Sequence, residues 1–152
     1  MRPWPKPVVS IVGWHNSGKT SVATALVRIL KRRGFGVAAI KHSREDVELD
    51  REGTDTALLA EAGADVVAIS SAHCLAFLER PRVEVPLAEI IARLPAGIDL
   101  VIAEGFKAED APKIEVIREG SGQERIIAPG ELLAVVTDGA VSEGVPVFGP
   151  NQ

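Results

Sequence analysis

A chain of 152 residues with net charge −4 has the size of one domain and can bury a sizeable core, while its acidic balance excludes a general nucleic-acid binder, which would show a basic face. Apolar residues make up 46% and aromatics only 4%, the aliphatic composition of a parallel sheet covered by helices. The single cysteine, Cys74, excludes an intrachain disulfide and a cysteine-based zinc site and suits a reducing cytoplasm; with no signal-like start and no run approaching about 18 apolar residues, a soluble protein without a membrane partner is expected.

The run Val8-Val9-Ser10-Ile11-Val12 reads as a buried strand. Thr20 to Arg33 carries Val22, Ala23, Leu26, Val27 and Leu30 at the spacing of one helix face. Between them, Gly13 to Thr20 fits the phosphate-loop pattern G-x-x-x-x-G-K-[ST], in the strand–turn–helix context that the pattern requires. Gly13 and Gly18 let the backbone curl so that successive N–H groups face phosphate oxygens, and the helix N-terminus adds a favourable dipole. Gly13, His15, Asn16, Ser17, Gly18, Lys19, Thr20 and Ser21 are therefore the expected nucleotide-binding segment. At a variable position of the pattern, the His15 side chain is expected to face solvent or a partner. Lys19 can reach the β- and γ-phosphates, and the Thr20 hydroxyl can join the shell of Mg²⁺. The segment predicts binding of a nucleoside di- or triphosphate.

Gly36 to Ile40 is the next expected strand, leading into Lys41 and His42 and then a charge-dense loop, Arg44 to Asp55. That loop falls at the carboxyl end of a strand, where open α/β sheets bind ligands. Lys41, His42, Asp50 and Asp55 are candidates for substrate or switch roles, against the alternative of a solvated connection. Thr56 to Ala62 reads as a short helix. Ala64–Ser70 and Cys74–Leu78 read as a hairpin at one sheet edge, with His73 and Cys74 structural. Pro86 to Leu94 reads as an amphipathic helix, Asp99 to Ala103 as a buried strand, and Lys113–Arg118, Leu132–Thr137 and Val145–Phe148 as further strands. Alternating strands and helices predict a mostly parallel sheet with right-handed crossovers, flanked by helices, in a single domain spanning 1–152.

Glu104 follows the strand that ends at Ala103 and is the expected carboxylate of the site, holding a metal-bound water or orienting the attacking one. Lys19 and Glu104 are thus the candidate catalytic pair, and Thr20 and Glu104 the candidate metal pair. Asp99 starts the same strand and lies at the wrong end for that work. Lys107, in the loop beyond, joins the candidates for a substrate or switch role. Asp138 follows the strand Leu132–Thr137; its carboxylate can accept from guanine N1–H and N2–H₂ together, although the longer N-K-x-D guanine signature is absent.

Gly13–Thr20, Ile40-Lys41-His42, the loop through Asp50 to Gly53-Thr54-Asp55, Ala62-Gly63-Ala64, Asp99 to Lys107 and Lys113-Ile114-Glu115-Val116 together resemble the MobB family of molybdopterin-guanine dinucleotide biosynthesis adapter proteins. The resemblance spans most of the chain. It implies a P-loop GTP-binding fold with GTP and Mg²⁺ as cofactors, weak GTPase activity and a homodimer. It also implies work beside the molybdopterin guanylyltransferase and the molybdenum-insertion enzymes. Where the family often carries further histidines after the Lys-His pair, this chain has Ser43, Arg44 and Glu45. A small-molecule kinase is the competing enzyme class, but such kinases close an arginine-bearing lid over the phosphates, and the only compact arginine pair outside the first helix is Arg80-Pro81-Arg82. A non-hydrolysing, nucleotide-dependent adapter module is the third reading. The apolar hairpin, as an unprotected edge, is expected at or near the dimer contact.

Overall fold

Strand β1 (Val8–Val12) is the axis of the fold. A computed structural model describes residues 4–43, 52–119, 125–139 and 144–150, and its Cα packing divides the chain into two compact units, Met1–His42 with Pro86–Gln152, and Ser43–Val85. In the first unit β1 is followed by helix α1 (Lys19–Arg32) and strand β2 (Val37–Lys41). After the second unit come helix α3 (Leu87–Ala92) and strands β5 (Leu100–Glu104), β6 (Lys113–Ile117), β7 (Leu132–Thr137) and β8 (Val147–Phe148). A 3₁₀ turn, Pro129–Glu131, precedes β7 and had no signature in the sequence pattern.

These strands form one six-stranded sheet in the order β2-β5-β1-β6-β7-β8, every neighbouring pair parallel. Because strand side chains alternate in direction, the β-branched runs bury apolar groups on both faces. On one face Ile11, Ile102, Val116 and Val136 pack beneath Val22, Ala23, Leu26, Val27 and Leu30 of α1. On the other, Val101, Ala103 and Phe106 pack with Leu87 and Ile91 of α3, and Val12 and Val135 pack with Ile127 and Leu132. Lys31 and Arg32 lie in the last turn of α1, where cations suit the helix dipole. Its carbonyls are closed by bonds from Gly34 N to Lys31 O and from Phe35 N to Leu30 O, a Schellman stop.

Chain order reverses about β1: β2 and β5 lie on one side and β6, β7 and β8 on the other. The carboxyl end of a strand at such a reversal is where open parallel sheets leave a crevice for ligands. Asp99 lies at the opposite end, as expected, where its carboxylate accepts from Gly36 N at 2.6 Å.

The second unit contains helix α2 (Asp55–Glu61) and the antiparallel strands β3 (Val66–Ser70) and β4 (Leu75–Glu79). Thr54 caps α2 by accepting from Ala57 N at 3.3 Å. The expected hairpin forms, as a two-stranded sheet of its own. Its turn is tied by bonds from Ser71 N to Cys74 O at 2.8 Å and from Cys74 N to Ser71 Oγ at 3.1 Å. Val67 is buried, whereas Val66, Leu75 and Phe77 are 49%, 64% and 63% exposed. The register places Val66 opposite Glu79, Ala68 opposite Phe77 and Ser70 opposite Leu75, so these apolar groups share one outward face.

Candidate functional site

The loop between β1 and α1 is pinned to its neighbours by close backbone approach. A Cβ on Gly13, whose φ is 152°, would lie 2.5 Å from Val116 O and 2.6 Å from Ser17 Oγ, so only glycine fits between β6 and the loop's own return. Asn16 takes the left-handed conformation, with φ 59°, and Gly18 opens the helix without a side-chain cap. The first N–H groups of α1 are therefore left to whatever sits in the loop. Ser17 is buried, and among the described residues its Oγ has no hydrogen-bond partner. An unpartnered hydroxyl enclosed in a loop of backbone donors suits an anion with several acceptor oxygens.

Lys19 Nζ donates to Trp14 O, closing the loop on itself. Burial is the main cause that lowers the Lys19 pKa from 10.5; Glu104 opposes the shift and Lys41 adds to it. Trp14 (46% exposed), His15 and Asn16 form the outer rim of the loop, and Ser21 is exposed on the first turn of α1.

Glu104 is the last residue of β5 rather than the start of a loop. Register places it beside Ile11 of β1 and Lys41 of β2. Thr20 Oγ1 donates to Glu104 Oε2 at 2.9 Å across 84 residues of sequence. The expected hydroxyl and carboxylate are therefore brought together. Both are hard oxygen donors, as Mg²⁺ prefers, and Mg²⁺ commonly completes its shell with waters and phosphate oxygens. Among the described residues no cluster of three or more His, Cys, Asp or Glu could hold a metal alone.

The turn after β5 is strained. Gly105 and Phe106 have φ values of 92° and 53°, and the latter is costly for an aromatic residue. It is held by bonds from Gly105 N to Ile11 O and from His42 N to Glu104 O, both 2.9 Å, and by the His42 ring lying 4.9 Å from the buried Phe106 ring. His42 is thus joined to the Glu104 turn, while Lys107 is exposed beyond it. At the other side of β1, Asp138 Oδ1 accepts from Glu119 N at 2.6 Å, tying the ends of β6 and β7. Asp55 heads α2 in the second unit, and Asp50 lies outside the described residues.

Two features had no expectation attached. Phe106 supports His42, a contact that no spacing rule predicts. Lys113 and Glu115, alternate residues of β6, are 4% and 1% exposed. Glu115 accepts from Ile126 N at 2.7 Å and from Arg125 Nε and an Arg125 Nη, each at 3.3 Å; Lys113 pairs with Glu131 at 3.4 Å. Alternating charges in a strand ordinarily mark a solvated face, and these instead fasten the Arg125–Glu131 segment to the sheet.

The family model described as "Molybdopterin guanine dinucleotide synthesis protein B" matches residues 8–138, including the whole loop, the Lys41–Glu104 pair and Asp138. The chain belongs to the MobB family. It is 31% identical over 151 residues to the molybdopterin-guanine dinucleotide biosynthesis adapter protein of Escherichia coli (strain K12), covering 96% of this chain and 86% of that one. It is 30% identical to a probable adapter protein of Bacillus subtilis (strain 168), covering 95% and 86%. The crystal structure of Bacillus subtilis MobB superposes with a TM-score of 0.76 at 25% identity, covering 96% of this chain and 91% of that one. In this MobB-family chain three of the stretches that carry the resemblance lie at the carboxyl end of the sheet: the loop after β1, Lys41 and His42 at the end of β2, and Glu104–Lys107 at the end of β5. No helix among the described residues is long and apolar enough to cross a membrane.

Proposed function

We propose that this chain is a GTP-binding, slowly hydrolysing adapter of molybdopterin-guanine dinucleotide biosynthesis that works in the cytoplasm. The observation that carries the reading is the hydrogen bond from Thr20 to Glu104 at the mouth of the Gly13–Thr20 loop, which assembles a phosphate cradle, a hydroxyl and a carboxylate in one place. Phosphates take the N–H groups of the loop, the Ser17 hydroxyl and the Lys19 ammonium. Thr20 and Glu104 would hold Mg²⁺, which supplies positive charge to the terminal phosphates. Asp138 reads the guanine edge. In hydrolysis, water oxygen bonds to γ-phosphorus and the bridging oxygen leaves on GDP with the bond's electron pair. The proton lost from that water passes by way of Glu104 to solvent. Turnover is slow because glutamine occurs only at positions 123 and 152, and no side chain of the loop supplies the transition-state charge of an arginine finger.

The test is calorimetry with GTP, ATP and xanthosine triphosphate in the presence of Mg²⁺. GTP is expected to bind most tightly, and a chain that binds none of the three overturns the reading. Asp138→Asn keeps an acceptor for Glu119 N–H and turns an amide donor to the base, so preference is expected to move towards xanthosine triphosphate. An unchanged GTP preference would remove Asp138 from base recognition.

The adapter acts as a homodimer beside the enzyme that joins GMP to molybdopterin and the enzymes that insert molybdenum. Support for the dimer comes from the second unit. A two-stranded sheet is marginal by itself, and this one exposes Val66, Leu75 and Phe77 on one face, which a second copy would cover.

A further inference from the structure

Lys41 is the group that the loop motif does not account for. In β2, Val37 packs on the α1 face with Leu100 and Ile102, while Ala38 and Ile40 pack on the opposite face with Val101 and Ala103. A period of two residues returns Lys41 to the α1 face. The same count along β5, from Leu100 through Ile102, puts Glu104 there too. Lys41 and Glu104 are register partners, Glu104 receives the Thr20 hydroxyl, and Lys19 feels the charges of both Glu104 and Lys41. Two lysines and one carboxylate thus share this end of the sheet on the α1 side. Glu104 takes its hydrogen bond from Thr20, and among the described residues no ion pair joins it to Lys41. Among these three described residues the two lysines outnumber the one carboxylate.

We propose that Lys41 binds the terminal phosphate of a bound nucleoside triphosphate and sets the preference for triphosphate over diphosphate. The assignment rests on the nucleotide reading above and follows from strand order. Base recognition by Asp138 belongs to β7, the phosphate loop to β1, and Lys41 to β2 on the far side of β5. A nucleotide laid along the carboxyl ends of these strands runs from base to terminal phosphate in that direction. β2 lies two strand spacings from β1, roughly 10 Å, which a long lysine side chain can bridge to the third phosphate. A diphosphate ends nearer the loop, within reach of Lys19 alone.

Calorimetry with GDP and with β,γ-imido-GTP, each with Mg²⁺, tests this on wild type, Lys41→Ala, Lys41→Arg and Lys19→Ala. Lys41→Ala is expected to lower affinity for the triphosphate analogue about 10-fold, the size of one charge-assisted contact, and to leave GDP within about 2-fold. Lys41→Arg restores most of the loss, and Lys19→Ala weakens both nucleotides. Lys41 is exposed, so the melting temperature of each Lys41 variant should match wild type. A Lys41→Ala protein that binds both nucleotides as wild type does, or loses both equally, overturns the proposal while leaving the nucleotide reading intact. A wild-type chain that binds neither nucleotide overturns both.

Discussion

Lys19 spends its hydrogen bond on the loop's own Trp14 carbonyl, and its side chain supports no core cluster. Lys19→Ala is therefore expected to cut triphosphate affinity about 10- to 100-fold with an unchanged melting temperature; calorimetry and thermal melts read the two effects separately. Glu115 is the opposite case. With 1% of it exposed, it is the acceptor for Arg125 and for Ile126 N, and Glu115→Ala removes that acceptor from two half-buried donors. The expected loss is about 1–3 kcal/mol, read from denaturant unfolding. A fall below about 1 kcal/mol would mean that the pair behaves as a surface salt bridge. At this scale the sequence was partly legible. Thr20 and Glu104, which the fold brings within hydrogen-bond distance, could be singled out because the loop pattern marks the first and a strand end the second. Glu115 could not, because a charged residue at an alternating strand position looks the same in sequence whether water or Arg125 covers it.

Among elements, the strand–loop–helix from Val8 to Arg32 was the most legible, since it is specified by β-branched residues, two glycines and a helical apolar stripe together. Strand ends were less so. Lys41 and Glu104 read as loop residues by polarity, yet both belong to strands because they pair with each other across β2 and β5. The loop's shape depends as much on β6 as on its own residues. Gly13→Ala would set a methyl group against Val116 O, and the neighbour is backbone that cannot swing aside. The substitution is expected to cost about 1–3 kcal/mol of stability and to abolish nucleotide binding. A Gly13→Ala protein that melts and binds like wild type would show that the loop tolerates a wider approach to β6.

For the whole molecule, the apolar face of the hairpin is the surface on which the proposed dimer is tested. Leu75 and Phe77 contribute most of its exposed aromatic and aliphatic surface, so placing lysine at both positions is expected to convert a dimer to a monomer by light scattering at micromolar concentration. Nucleotide affinity per chain should stay the same, because the Gly13–Thr20 loop belongs to the other unit. A wild-type monomer at that concentration would refute the dimer. Unit division itself was not legible from composition. Residues 43–85 carry no linker signature in the sequence; their described part holds one short helix and two short strands, and a polar stretch between two parallel strands reads equally well as an ordinary crossover.

Trp14 gives the loop an optical consequence. The chain has two tryptophans; Trp4 is half-buried near Asp110, while Trp14 stands exposed on the rim, its carbonyl holding the ammonium of Lys19. A phosphate that draws that ammonium away from the carbonyl would place the indole of the same residue in a new electrostatic environment. On the proposed nucleotide reading, nucleotide arrival is expected to change the intrinsic emission without any added label. Stopped-flow mixing would resolve two phases, one proportional to nucleotide concentration for encounter and one independent of it for the handover of Lys19. In Trp14→Phe both phases should vanish while calorimetric binding persists.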